Sequence, residues 1–582
     1  MPPTSPKISD QARLPSRQDP SDRWFPFFLF AFVLLLLFYR LGDAALFEPD
    51  EGRNAEKARE ILLLNDWITP HENFHAVLDK PMFFYWLIAL SYKLFGVSEW
   101  AARLPSALAA FSCVLVVYLF VRRWWGEWEA RWSVLALITT AGVFVFSRIV
   151  IFDMTLTAGI TLALSAFYQT ARAPESKASW GVCAILYLAL AAATLTKGLV
   201  GLVVPGMVFF FYLLLSKSWS VLRRIRLIPG TALFLLVVAP WYILAEIHNP
   251  GYLRYYLWEE HFGRFATTKF DRFSPWYFYL YVVPLGLLPW TFLLPAAIKN
   301  YWRRKLDDRT LWLILWAGLP ILFFSFSKAK LPHYILPSLP ALAILVGVAL
   351  PRALCESQDR CRFGFAAGWL VLSSAFLYSA AGVIRPEILP EIARGRFDSI
   401  VTLFWISSAI SLVLAYLAGK RRIWTKVSPK YIFFAQAAGM LIFVITLSEM
   451  MVLISPARSA KEIARKALPF LSPTTQVVSY DTYAEALPFY LKAEKPLWVV
   501  THNHKKRTFL GNFYAITGQP EPITRWGKAL LDFDEFSAIW QSSDIPLLIL
   551  VKEKNLRGLE RRVGTALNRV AEDDEYLILK RP

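Results

Sequence analysis

The chain has 582 residues, 56% of them hydrophobic and 18% charged, with a mean hydropathy of +0.40, which is too apolar for a soluble multidomain enzyme and calls for a bilayer. A formal net charge of +19 would suit nucleic acid, but the basic residues fall in short clusters between apolar runs, the pattern of a membrane protein, which sets nucleic-acid binding aside. Cys113 and Cys183 lie in apolar runs, and Cys355 and Cys361 in a short basic loop assigned to the cytoplasm, so neither a disulfide framework nor a thiolate zinc site is implied.

Residues 1–22 are rich in Pro, Ser and charge and read as a disordered cytoplasmic tail, not as a cleavable signal. Apolar runs follow near 25–39, 82–96, 104–121, 132–147, 153–171, 180–195, 199–216, 228–246, 276–298, 310–327, 332–350, 363–383, 400–419 and 431–454. The basic clusters around Arg122, Arg223, Arg303, Arg360 and Arg421 recur after every second run, and they share one face if the run at 82–96 does not cross. That run is short and carries Tyr85, Trp86, Tyr92 and Lys93, which suits a helix lying at the headgroups. The expectation is therefore an α-helical polytopic protein with about thirteen transmembrane helices, a cytoplasmic N-terminus and a membrane domain over 23–454. An outer loop at 40–103 carries interfacial helices.

From 455 to 582 the apolar runs shorten to strand length and alternate with amphipathic helices, predicting an extracytoplasmic α/β domain. Expected strands are 476–480, 497–501, 546–551 and 576–580; expected helices are 457–471, 484–491 and 532–540. The segment holds no phosphate loop or nucleophile motif, so it reads as a lid or scaffold.

The candidate chemistry lies at outer helix ends. In Phe47-Glu48-Pro49-Asp50-Glu51-Gly52-Arg53-Asn54-Ala55-Glu56, the acids either cap the amphipathic stretch 55–64 with a solvated charged face, or form a carboxylate pair for a metal, a sugar amine or a developing cation. Lys80, after Asp79, either snorkels or binds a lipid phosphate. Asp153 beside a membrane segment is a functional candidate, with an ion pair to Arg148 as its plain alternative; Lys197 marks another outer turn. Two later stretches, Trp258-Glu259-Glu260-His261-Phe262-Gly263-Arg264-Phe265 and Lys328-Ala329-Lys330-Leu331-Pro332-His333-Tyr334, supply the guanidinium, ammonium and phenol donors of a phosphate site. No cofactor is required, and no spacing demands a metal; a divalent ion at His261 with Asp79 or Glu259 is the one metal set left open.

As an ordered set, the acidic loop, Asp79-Lys80-Pro81, Glu259-Glu260-His261-Phe262-Gly263-Arg264 and Lys328-Ala329-Lys330-Leu331-Pro332-His333-Tyr334 resemble the bacterial aminoarabinose transferases that modify lipid A. These are GT-C glycosyltransferases akin to protein O-mannosyltransferases. The resemblance spans the membrane part; its one departure is Asp79, where the family pattern has Glu. It implies inverting transfer of 4-amino-4-deoxy-L-arabinose from undecaprenyl phosphate to a lipid A phosphate at the outer face of the bacterial inner membrane, by a monomer, giving polymyxin and cationic-peptide resistance. By motif position Lys80, Arg264 and Tyr334 would hold the carrier phosphate and Asp50 and Asp153 would face the sugar, with Glu51, Arg53, Lys197 and Lys330 as further candidates. The alternatives are another polyprenyl-phosphate-dependent glycosyltransferase, acting on hexose, glucosamine or protein, and, from a different class, a lipid transporter.

Overall fold

A computed structural model describes residues 24–174, 179–263, 274–295, 297–298, 307–356, 358–378, 397–420, 429–501, 525, 527–542, 544–573 and 575–581. Among them, seven helices are long and apolar enough to cross a membrane: Glu99–Trp124, Trp180–Lys197, Leu227–His248, Asp308–Phe326, Pro332–Pro351, Val401–Gly419 and Tyr431–Arg458. Many of their large apolar side chains point outward. Ile228, Leu235, Leu236, Ile243 and Ile247 of Leu227–His248 are all exposed, a surface that only lipid solvates cheaply.

Several other apolar runs form shorter or interrupted helices. Phe25–Phe38, Phe83–Phe95 and Val200–Ser216 are apolar but shorter, and the run at 132–147 divides at Thr140 into Glu127–Thr139 and Ala141–Phe146. There Thr140 is extended and accepts the Val143 N–H through its hydroxyl, capping a new helix within the run. Length and composition alone therefore do not return thirteen crossings. The buried core of this region includes Trp132, Trp290, Trp312 and Trp316.

After the Pro429–Ile454 helix the chain builds a six-stranded mixed sheet. A two-residue hairpin, β1 (His71–Glu72) and β2 (His75–Ala76), lies in the outer loop; the sheet strands are β3 (Gln476–Tyr480), β4 (Trp498–Val500), β5 (Leu530–Leu531), β6 (Leu547–Lys552), β7 (Asn568–Glu572) and β8 (Tyr576–Lys580). Their order is β5-β4-β3-β6-β8-β7, with the first four parallel and the last two pairings antiparallel. The four expected strands and the 532–540 helix appear within a residue or two, as Phe533–Ser542 in the last case. The expected 457–471 and 484–491 helices are shorter, as Lys461–Ala467 and Leu487–Leu491. β5, β7 and the Glu553–Val563 helix are additions.

Period-two alternation gives this sheet two apolar faces. Leu547, Ile549 and Val551 face one core with Phe536, Leu556 and Leu559, while Leu548, Leu550 and Ile578 join a second core with Ala55, Ala58 and Ile61 of the Asp50–Leu64 helix and with Phe84 and Tyr85. The C-terminal sheet and the outer loop thus share one hydrophobic core.

That shared core overturns one expectation. The Asp50–Leu64 helix does not present a solvated charged face: Glu51, Glu56, Lys57, Arg59 and Glu60 are all buried. Burial of so many charges requires partners, and Glu56 pairs with Arg59 at 2.6 Å, Glu51 with Arg103 at 2.8 Å and Lys57 with Glu72 at 3.2 Å.

Candidate functional site

A cavity of about 480 Å³ opens among the outer ends of these elements. Its lining includes Asp50, Arg53, Asn54 and Lys57 from the first loop helix, Asp79, Lys80 and Tyr85, then Asp153 and Lys197, then Tyr256, Glu260 and His261, and finally His333 and Tyr334. Residues up to 284 positions apart in the chain converge here (Asp50 and Tyr334), delivered by helix ends, by distorted turns and by one face of the Asp50–Leu64 helix.

Asp50 starts its helix after Pro49 without making a side-chain cap. Its carboxylate is 56% exposed and lies 3.9 Å from the Arg53 guanidinium. The neighbouring acid has a different task. Glu51 accepts two bonds from Arg103, at 2.8 and 2.9 Å, and further bonds from the backbone N–H groups of Phe47 and Val150. Glu51 therefore positions the loop bearing Asp50 against the turn that leads to Asp153.

Asp153 accepts a 2.5 Å bond from Lys197 and lies 3.6 Å from His333 Nε2. Arg148, weighed above as its partner, instead donates to the carbonyls of Leu36, Leu37 and Tyr39. Lys197 is held in place, with its ammonium 4.6 Å from the Tyr334 ring centre, a cation–π contact. Lys80 donates 2.8 Å to the Asp79 carbonyl and lies 3.5 Å from Glu260, so it too points inward.

The aromatic loop forms a π-helix, Tyr255–Gly263, a wide turn that recurs at functional sites. It brings Glu260 and His261 to the cavity. His261 donates from Nδ1 to the Tyr256 carbonyl at 2.7 Å and accepts the Leu199 N–H on Nε2 at 3.1 Å. Gly198 makes room for this ring: its φ is +69°, and a Cβ there would lie 2.3 Å from the Tyr256 hydroxyl and 2.5 Å from His261 Nε2.

The metal set considered above does not suit an ion. Both ring nitrogens of His261 are engaged by backbone groups, leaving no lone pair for coordination, and Glu259 is not among the residues lining the cavity. Among the described residues no group of three or more His, Cys, Asp or Glu side chains is placed to hold a metal. Lys330 is buried beside the cavity and donates 2.9 Å to the Ser274 carbonyl. Arg264 lies outside the described residues.

Asn54, Lys57, Tyr85, Glu260 and His333 line the cavity without having been singled out as candidates. The helical period offered a signal for two of them, because Asp50, Arg53, Asn54 and Lys57 fall at i, i+3, i+4 and i+7 on one helix face. Above that face, Arg53 donates 2.7 Å to Glu485 of the C-terminal domain and lies 3.6 Å from Glu72. Burial alone would lower the Arg53 guanidinium, but the Glu485 and Glu72 carboxylates outweigh it and hold it well above its ordinary value. Burial and the adjacent Glu485 charge push Glu72 well up; burial would raise Glu485 too, but Arg53 keeps it below the usual carboxylate range.

A second cavity of about 420 Å³ meets the first, sharing Asp50, Ile151 and His333. The rest of its wall is mostly apolar, including Val145, Phe146, Leu447, Met450 and Ile454.

Residues 79–244 match the family described as Dolichyl-phosphate-mannose-protein mannosyltransferase. An undecaprenyl phosphate-alpha-4-amino-4-deoxy-L-arabinose arabinosyl transferase of Pseudomonas paraeruginosa is 32% identical over 397 residues, 68% of this chain and 72% of that protein. One of Pseudomonas aeruginosa is 34% identical over the same shares. The crystal structure of ArnT from Cupriavidus metallidurans bound to undecaprenyl phosphate is similar with a TM-score of 0.81 at 25% identity, over 96% of this chain and 98% of that one.

Proposed function

This chain belongs to the undecaprenyl phosphate-aminoarabinose arabinosyl transferases, and from that premise we propose that it moves 4-amino-4-deoxy-L-arabinose from undecaprenyl phosphate to a phosphate of lipid A. The observation that carries the reading is the convergence of Asp50, Lys80, Asp153, Lys197 and Tyr334 on one cavity beside apolar helices.

In the proposed reaction the bond between the sugar C1 and the carrier-phosphate oxygen breaks, its electron pair leaving with undecaprenyl phosphate. A lipid A phosphate oxygen forms the new bond at C1 from the opposite face, inverting that carbon. The acceptor is largely ionised at neutral pH because its second pKa is about 6, so no strong base is needed. Negative charge grows on the departing phosphate, and cations fixed in advance near it stabilise the transition state more than the ground state. Lys80 and Lys197, with Arg264 and the Tyr334 phenol, take that part. Asp50 and Asp153 face the sugar, where they favour the oxocarbenium-like C1 or the cationic 4-amino group. No metal enters these steps.

The site then belongs at the outer face of the inner membrane, with the N-terminus cytoplasmic, the C-terminal domain periplasmic and the protein acting as a monomer. Mass spectrometry of lipid A from cells with and without the gene tests the reading. A gain of one pentosamine is expected, whereas a hexosamine or no gain would refute it. Asp50→Asn should lower modification about a hundredfold, the scale of a lost electrostatic contact in a dry site, while the protein remains in the membrane at wild-type level.

A further inference from the structure

The acidic first loop and the C-terminal domain are joined by polar contacts as well as by their shared core. Glu48 accepts the Glu485 N–H at 2.9 Å and the Ala486 N–H at 2.7 Å. Gly52 presses so closely on Ala486 that a Cβ there would lie 2.6 Å from the Ala486 nitrogen and Cβ. Between them the Glu485 side chain, in a residue only 4% exposed, takes the Arg53 guanidinium. Arg53 is thus held on three sides: Glu485 at 2.7 Å, Glu72 at 3.6 Å and Asp50 at 3.9 Å.

We propose that Glu485 is a positioning residue for sugar transfer: it draws the Arg53 guanidinium away from Asp50 and so leaves the Asp50 carboxylate free to face the reacting sugar. The distances support this. Glu485 is the nearest acid to Arg53, at 2.7 Å, while Glu72 lies at 3.6 Å and leans closer to Lys57, and Asp50, at 3.9 Å, is far more exposed than either buried acid. Without the Glu485 charge Arg53 loses its shortest ion pair, and Asp50 is the next solvent-facing carboxylate within its reach. A short Arg53–Asp50 pair would then neutralise the carboxylate that the sugar needs. The C-terminal domain on this account sets the electrostatics of the membrane site, although none of its described residues lines the cavity.

The inference rests on the transferase reading, so its test is built to separate the two. Full-length Glu485→Gln in detergent or nanodiscs is assayed with undecaprenyl-phosphate aminoarabinose and lipid A. The turnover number should fall roughly ten- to a hundredfold, the scale of a misplaced reacting group, with little change in the KM for the donor. Glu485→Asp, which keeps the charge, should recover part of the loss. Adding Arg53→Gln to Glu485→Gln should raise turnover above that of the single variant, because the competing cation is gone; a scaffold role predicts the opposite. Wild-type turnover in Glu485→Gln, or a double variant no faster than the single, overturns the proposal. Failure of the wild-type protein to transfer the sugar refutes the transferase reading instead. In that event hydrogen exchange over residues 48–54 still decides the coupling: faster exchange in Glu485→Gln upholds it and unchanged exchange overturns it.

Discussion

Asp153 and Lys197 meet at 2.5 Å with side chains only 3% and 13% exposed. Removing one partner of such a pair strands the other, which typically costs about 3–5 kcal/mol, whereas replacing both by apolar groups is often neutral. Asp153→Asn should therefore lower both transfer and thermal stability. The double change Asp153→Leu with Lys197→Met should recover stability but not transfer, and recovery of both would remove Asp153 from the reaction. The sequence offered Asp153 and Lys197 as separate outer-turn charges; it gave no sign that they bond to each other, because 44 positions lie between them and no local period links them. Arg148 was the nearer charge, yet three carbonyls at the end of the Phe25–Phe38 helix satisfy it, a tertiary solution that spacing does not encode.

At the scale of elements, the apolar runs announced where helices lie, and alternation announced the central strands. The π-helix Tyr255–Gly263 went unseen, since its sequence Tyr-Tyr-Leu-Trp-Glu-Glu-His-Phe-Gly carries no mark of the wider turn. The wide turn is seated by Gly198, which ends the Trp180–Lys197 helix at positive φ and leaves the space that the Tyr256 hydroxyl and His261 occupy. A methyl group at that position meets both strain and collision. Gly198→Ala is expected to cost about 1–3 kcal/mol, read as a lower melting temperature. It should also weaken carrier-lipid binding, because Glu260, the acid that Lys80 faces at 3.5 Å, rides on the displaced turn. A variant with unchanged binding would show that the π-helix is held from elsewhere.

For the whole molecule, the charged helix Asp50–Leu64 is where hydropathy misleads most: taken alone it reads as a solvated surface, and only the sheet some 430 residues later, reached through Arg53 and Glu485 (|i−j| = 432), makes it an interior element. This docking carries its own pH signature. Burial pushes the Glu48 carboxyl up from 4.5 to about 8, against the two N–H bonds from Ala486 and Glu485 that favour its ionised form. Between those pH values the native state holds a proton that the unfolded chain has released, so this contribution to stability is full below pH 4.5 and is lost as the pH rises towards 8. His71 and His75, held below their usual 6.5 by burial, act in the opposite sense, and their effect is spent once the pH exceeds 6.5. Thermal stability should consequently fall from pH 6.5 to 8, and Glu48→Gln should make that fall shallower while leaving the slope below pH 4.5 unchanged. An identical slope in the variant would mean that Glu48 stays ionised at the interface and that its two backbone hydrogen bonds, not its burial, set its charge.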